Sequence, residues 1–198
     1  AQGAAVVTLG QRGQPDGALP VDNLFVDNAA AARAAVAYLI ERGHRRIAMV
    51  AGKEGTPPRD MRVRGYAEAL AAHGAAVDQM LVRASDFTVE DGRRAAAELL
   101  RLPEPPTAIF AANDLMAMGV MFAARAAGRR IPDDLAVVGL DDIPAAALVE
   151  PPLTTVAQYP TQLGRRAAEL MFDRLSGAAP AESRRIEMPF SLIVRGSA

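Results

Sequence analysis

One stretch of the chain, residues 107–158, constrains its fold more than any other. It opens with a short apolar run, residues 108–111, that ends abruptly at Asn113. A segment rich in alanine and methionine follows, typical of a helix, and a second apolar run, residues 135–140, ends at Asp141. Strand, polar end, helix, turn and second strand make one βαβ unit. In an open parallel sheet, ligands bind beyond the carboxyl ends of the strands, where both polar ends lie.

The same alternation of strand and helix repeats along most of the chain. Helices of roughly 10–15 residues between short apolar runs indicate an α/β fold with a doubly wound parallel sheet. The predicted helices are residues 29–42, 59–73, 88–101, a segment ending at Gly128, and 161–175. The predicted strands are residues 4–9, 24–26, 47–51, 79–84, 108–111, 135–140, 185–188 and 191–194. Residues 24–140 therefore make nearly a complete domain, whereas the flanking pieces are too small to form one together.

Composition removes several classes of function. The chain has 198 residues, no cysteine and a net charge of −1. Disulfides, thiolate metal sites and a cysteine nucleophile are therefore excluded, and the basic excess usual in a DNA-binding domain is missing. No apolar run reaches the ~18 residues of a membrane span. The first residues lack the pattern of a signal peptide and lead almost at once into a strand, so we expect the chain to be part of a longer protein.

An enzyme is not predicted. The two histidines, His44 and His73, each stand at the end of a helix, where we expect the imidazole to meet the last carbonyl groups. No phosphate-binding glycine loop and no spacing typical of metal ligands occurs. The acidic pairs at 133–134 and 141–142 have the chemistry for a hard cation, but adjacent carboxylates on a strand point to opposite faces. We expect no cofactor and no metal.

Four side chains are expected to converge at one edge of the sheet. Asn113, Asp141 and Phe87 follow strands, and Arg62 lies near the start of the helix after the strand at 47–51. A carboxylate, a guanidinium and an amide exchange hydrogen bonds with hydroxyl groups, and an aromatic ring covers an apolar ring face. This combination suits a polyol or a sugar.

Each of these residues also has a purely structural alternative. Either Asn113 or Asp114 has the chemistry to cap the following helix, and we favour Asp114 as the cap. Asp142, which precedes Ile143 and Pro144, has the pattern of a cap for a short helix. Phe87 is equally compatible with the core, and Arg62, taken alone, with a solvated helix face.

Ordered motifs along the whole chain resemble the effector-binding region of the lactose/galactose repressor family of bacterial transcription regulators. Each motif alone is weak, but their series in this order is specific. They are VDN (26–28), LIERGHRRIA (39–48), RVRGY (62–66), DFT (86–88), TAIFAANDLMAM (107–118), IPDD (131–134), VVGLDD (137–142), PLTTV (152–156), Gln158, LG (163–164) and LIVRG (192–196).

The resemblance implies a two-lobed, periplasmic-binding-protein-like fold with three crossings between lobes. Residues 1–26 and 158–187 would form a partial N-terminal lobe, and residues 27–157 and 188–198 the C-terminal lobe. The implied effector contacts are Arg62, Phe87, Asn113, Asp141 and Gln158. The implied partners are a sugar or related metabolite and a second copy of the chain, with Met118, Phe122 and Val149 near the dimer interface; ordinary core is as good an interpretation for Met118.

The resemblance further implies a cytoplasmic protein that reads DNA only through a region absent from this chain. The family's helix-turn-helix, its hinge helix and the first half of the N-terminal lobe are missing. Tyr159 stands where many relatives have proline, and residues 9–12 replace a polar strand end. These departures leave the identity of the ligand open. The alternative is a sugar-binding protein of a transport system with the same fold.

Overall fold

The structure, a computed structural model, describes residues 5–10 and 21–198. Predictions that fall on residues 1–4 and 11–20, including most of the polar segment after the first strand, lie outside it. The helices are α1 (Asn28–Glu41), α2 (Pro57–Ala72), α3 (Val89–Leu99), α4 (Asp114–Ala126) and α5 (Pro160–Ser176). The strands are β1 (Val7–Leu9), β2 (Asp22–Phe25), β3 (Ile47–Val50), β4 (Val82–Arg83), β5 (Ala108–Ala111), β6 (Ala136–Val138), β7 (Thr155–Ala157), β8 (Arg185–Glu187) and β9 (Ser191–Ile193).

The contacts divide the chain into two compact units. Unit 1 comprises the described residues up to Asp27 together with Gln158–Phe190, and unit 2 comprises Asn28–Ala157 and Ser191–Ala198. Each unit is therefore built from two separate pieces of the chain.

Unit 2 holds a four-stranded parallel sheet in the order β4-β3-β5-β6. Every residue of β3, β5 and β6 is buried, as expected for parallel strands that are covered on both faces. Helices α1 and α2 pack against each other, and so do α3 and α4. An antiparallel pair, β7 and β9, continues the sheet beyond β6 through a bridge between Val138 and Thr154.

One predicted strand is wrong in its first half. Residues 79–84 were expected to be extended, but Gln79–Leu81 forms a 3₁₀ turn and only Val82–Arg83 is strand. The cause is local: the carboxylate of Asp78 accepts a hydrogen bond from the backbone N–H of Met80, at 2.9 Å, and this closes the turn.

Unit 1 contains a parallel sheet in the order β1-β2-β8, with α5 packed on β1 and β2. Its centre is the fully buried carboxylate of Asp22, which accepts hydrogen bonds from Arg174 (2.7 Å) and from Arg184 (2.8 Å). Arg184 also pairs with Asp173 at 2.7 Å. Burial by itself raises the pKa of Asp22, but the two guanidinium groups outweigh it and hold that pKa well below its ordinary value.

Candidate functional site

The predicted site residues of unit 2 come together at one edge of its sheet. Because β4, β3, β5 and β6 are parallel, their carboxyl ends share that edge, which we call the rim. Phe87 follows β4, Asn113 follows β5 and Asp141 follows β6, while Arg62 lies on α2, the helix that follows β3. The convergence expected from the sequence is therefore present.

Arg62 is a buried residue, with only 7% of its surface exposed, so the alternative of a solvated helix face is wrong. Its Nε donates to the side-chain oxygen of Asn28 at 2.8 Å, and Nη1 donates to the carbonyl oxygen of Ala112. Its Nη2 lies 4.0 Å from Oδ1 of Asp141. Burial lowers the pKa of Arg62, and the carboxylates of Asp141 and Asp114 oppose that shift. An arginine nevertheless keeps its charge at neutral pH.

Asn113 joins the start of α4 to the loop after β4. Its Oδ1 accepts from the backbone N–H of Met116 at 2.8 Å, which makes Asn113 the N-cap of α4. Its Nδ2 donates to the carbonyl oxygen of Phe87 at 3.2 Å. An amide nitrogen carries two hydrogens, so one remains for a ligand.

Phe87 is a surface residue of the rim rather than part of the core. It is half-buried and has a φ of +64°, a left-handed conformation that is uncommon for a bulky side chain. Its ring lies directly against Gly52, where an added Cβ would be 1.9 Å from Cζ of the ring. The absence of a side chain at Gly52 therefore gives the ring its place.

Asp141 has a strained backbone and an accessible side chain. Its φ is +131°, that of Asp142 is +57°, and 34% of the Asp141 side chain is exposed. The N–H of Asp141 donates to the carbonyl oxygen of Val156 at 2.9 Å, which ties the residue to β7. The sequence pattern suggested that Asp142 caps the following 3₁₀ turn, but Ile143 occupies the cap position. The carboxylate of Asp142 instead pairs with Arg195 at 2.6 Å.

Asp114 is not the cap of α4, which corrects the choice that the sequence favoured. Its carboxylate is fully buried, and Asn113 occupies the cap position. It accepts hydrogen bonds from the backbone N–H of Ile143, at 2.9 Å, and from the hydroxyl group of Thr155. Burial raises the pKa of Asp114, and these two donors oppose the shift.

Sequence reasoning missed the second layer of this site, namely Asn28, Asp114, Thr155 and Arg195. The side-chain oxygen of Asn28, for example, accepts the hydrogen bond that holds Arg62. The partners of these residues lie 29 to 53 positions away along the chain. No local pattern in the sequence signals pairings of that length.

Gln158 belongs to unit 1 and is half-buried at the first position after the boundary between the units. Its role as a ligand contact stays a prediction.

The two histidines have structural roles: Nδ1 of His73 lies 3.0 Å from the carbonyl oxygen of Ala69, as expected. His44 differs, because its Nδ1 lies 3.0 Å from the hydroxyl oxygen of Thr107 and not at a helix carbonyl.

The residues assigned to the dimer interface share one surface groove of about 250 Å³. Met118 and Val149 line it together with Phe122, which is 46% exposed, and Leu148, which is 84% exposed. Met118 itself is only 6% exposed, so it belongs to the core and to the floor of the groove at once. Arg125 and Glu150 add charges to the same groove.

Residues 5–10 and 21–198 contain neither a cluster of metal-ligating side chains nor a helix that could span a membrane. No three His, Asp or Glu side chains lie close enough in this part of the chain to hold a metal ion. None of the helices described above has the length and the apolar character needed to cross a bilayer.

Comparison with known proteins gives consistent matches. A domain family described as a periplasmic binding protein-like domain matches residues 36–198. The HTH-type transcriptional repressor CytR of Escherichia coli is 41% identical over 179 residues, which cover 90% of this chain and 52% of CytR. The HTH-type transcriptional regulator CelR of Thermobifida fusca is 43% identical over 177 residues, 89% of this chain and 52% of CelR. The chain thus spans about half the length of the curated relatives it matches.

A solved structure extends the likeness to three dimensions. The complex of the transcriptional regulator CelR with cellobiose superimposes with a TM-score of 0.88 at 41% identity, over 96% of this chain and 58% of that one.

Proposed function

Because the chain belongs to the LacI family through its periplasmic-binding-protein-like domain, we propose that it binds the effector of a transcription regulator. The effector is a small polar metabolite, most simply a sugar. The observation that carries the proposal is the convergence of Arg62, Asn113, Asp141 and Phe87 on the rim of unit 2.

The chemistry of the rim matches a hydroxylated ring. The carboxylate of Asp141 accepts two hydroxyl hydrogen bonds, the remaining N–H groups of Arg62 and Asn113 donate, and the ring of Phe87 offers an apolar face. CelR, a relative with the same fold, is a cellobiose-binding regulator by the name of its complex, which supports a sugar as the first class of ligand to test.

In this proposal unit 1 and unit 2 correspond to the two lobes of the family, and Gln158, the first residue after unit 2, is a further effector contact. The effector acts by binding one arrangement of the lobes better than the other, typically with a coupling free energy of ~1–3 kcal/mol. We assign DNA binding to another region of the regulator, because the matching relatives are named HTH-type. The working protein is then a cytoplasmic homodimer that pairs through the groove of Met118, Phe122 and Val149, and it is not an enzyme.

The test is calorimetric titration of the 198-residue chain with a panel of sugars, polyols and purines that includes cellobiose. Hydrogen bonds to charged groups contribute ~1.5–3 kcal/mol each, so Asp141→Ala should weaken the best binder at least about 10- to 150-fold, which corresponds to the loss of one such bond. The melting temperature should change little, because the side chain lies at the surface of the rim.

Asp133→Ala is the matched control. This substitution also removes one aspartate carboxylate, but at the opposite end of β6 from Asp141. The side chain of Asp133 is 63% exposed and pairs only weakly with Arg130, at 3.4 Å. The control should bind like the parent chain. Equal affinity of the Asp141→Ala variant and the parent chain would refute the site.

A further inference from the structure

We infer that Asp114 is a positioning residue for effector binding: its buried carboxylate holds the loop that carries Asp141 and fixes that loop to β7. This inference rests on the proposed function, because it explains how the contact residue Asp141 is presented. Asp114 itself has no exposed surface, so it acts through the loop.

The geometry assigns both oxygen atoms of Asp114. Its Oδ2 accepts from the N–H of Ile143 at 2.9 Å. Its Oδ1 accepts from the hydroxyl group of Thr155. One carboxylate at the start of α4 thus joins the loop after β6 to β7, and both of those segments lie far from it in sequence.

The loop needs such a clamp because its backbone is strained. Asp141 and Asp142 are consecutive non-glycine residues with φ values of +131° and +57°. Conformations of this kind persist only where the surrounding structure over-determines them. Asp114 restrains the loop through the backbone N–H of Ile143, while Arg195 restrains the side chain of Asp142 at 2.6 Å.

The same clamp reaches the end of unit 2. The N–H of Asp141 donates to Val156, the neighbour of Thr155 in β7, at 2.9 Å. Strand β7 ends at Ala157, where unit 2 passes to unit 1. The loop that carries Asp141 and strand β7 are therefore held together by this bond and by the two hydrogen bonds that Asp114 accepts.

The buried carboxylate of Asp114 is not explained by stability alone, because burying a charge is energetically unfavourable. Burial raises the pKa of Asp114, which shows that desolvation of its charge is unfavourable, and the charge of Asp142 adds to the shift. Replacing a buried ionic group by apolar side chains is often neutral or stabilising. The carboxylate also supports Arg62, since Asp114 acts to raise the pKa of that guanidinium against burial.

Asp114→Asn tests the inference because the amide keeps the size and one acceptor of the carboxylate. The amide is uncharged and offers one acceptor atom instead of two, so the charge-assisted hydrogen bonds that hold the loop are weakened. We expect the affinity for the tightest-binding sugar of the titration panel, which includes cellobiose, to fall about tenfold. Hydrogen exchange of the amides of Asp142 and Ile143 should quicken, while exchange in β3 and β5 stays unchanged.

Thr155 supplies an independent pair of variants should Asp114→Asn fail to fold. Thr155→Val removes the hydroxyl donor with little change in shape and should weaken binding several-fold. Thr155→Ser keeps the hydroxyl group and should bind with nearly the affinity of the parent chain. A role confined to packing predicts the reverse, since valine fills the site better than serine.

Two results overturn the inference. The first is that the Asp114→Asn variant folds and binds with parental affinity, although the single variant Asp141→Ala weakens binding. The second is unchanged exchange at Asp142 and Ile143. A chain in which Asp141→Ala has no effect refutes the proposed function instead, and the exchange experiment still decides the role of Asp114.

Discussion

The contact between Gly52 and the ring of Phe87 allows a sharp test of the rim. In Gly52→Ala the new Cβ would lie 1.9 Å from Cζ of the ring, whereas ordinary contact begins near 3.4 Å. The ring must therefore retreat by about 1.5 Å. Overpacking of this kind costs about 1–3 kcal/mol of unfolding free energy, which for a chain of this size lowers the melting temperature by about 2–12 °C.

A double-mutant cycle identifies the cause of that loss. We expect Gly52→Ala to be harmful in the parent chain and nearly neutral after Phe87→Ala, because the ring that opposes the new methyl group is then gone. Thermal and urea unfolding measure all four chains. Gly164→Ala, in α5, is the control, since its Cβ would meet nothing within 4 Å and a helix favours alanine. Equal losses in both Phe87 backgrounds would refute the contact.

Two further predictions concern the groove and unit 1. Phe122→Glu should shift the chain from dimer to monomer in sedimentation, whereas Phe172→Glu, on the 70%-exposed Phe172 of α5, should not; the opposite pattern would move the interface to α5. Asp22→Asn leaves Arg174 and Arg184 without their buried partner and should cost about 3–5 kcal/mol at pH 7. Because the pKa of Asp22 is lowered in the folded state, its stabilisation is present above its unfolded pKa of about 3.9 and is lost as the pH falls. The parent chain and Asp22→Asn should therefore converge in urea unfolding at acid pH.

The rim was predictable because it follows from strand direction alone. Once β3, β5 and β6 are known to be parallel, residues placed just after them, such as Asn113 and Asp141, must share an edge. The burial of Arg62 was not predictable, since its partner, the carbonyl oxygen of Ala112, lies 50 positions away.

The adjacent pair Asn113 and Asp114 shows where local reasoning ends. Both side chains cap helices equally well, so the sequence offers no means of choosing between them. Thr155 and Ile143, which lie 41 and 29 positions further on, donate hydrogen bonds to the carboxylate of Asp114. The amide of Asn113 therefore caps the helix.

The burial of Asp22 has a consequence for synthesis on the ribosome. Its first partner, Arg174, follows 152 positions later, and its second, Arg184, follows 162 positions later. At about 5–20 residues per second, roughly 8–30 s pass before the first arginine is made. Until then the carboxylate stays hydrated and β2 has no β8 to pair with. The four parallel strands of unit 2 are complete by Val138, so its central sheet has all of its strands before β2 can pair with β8.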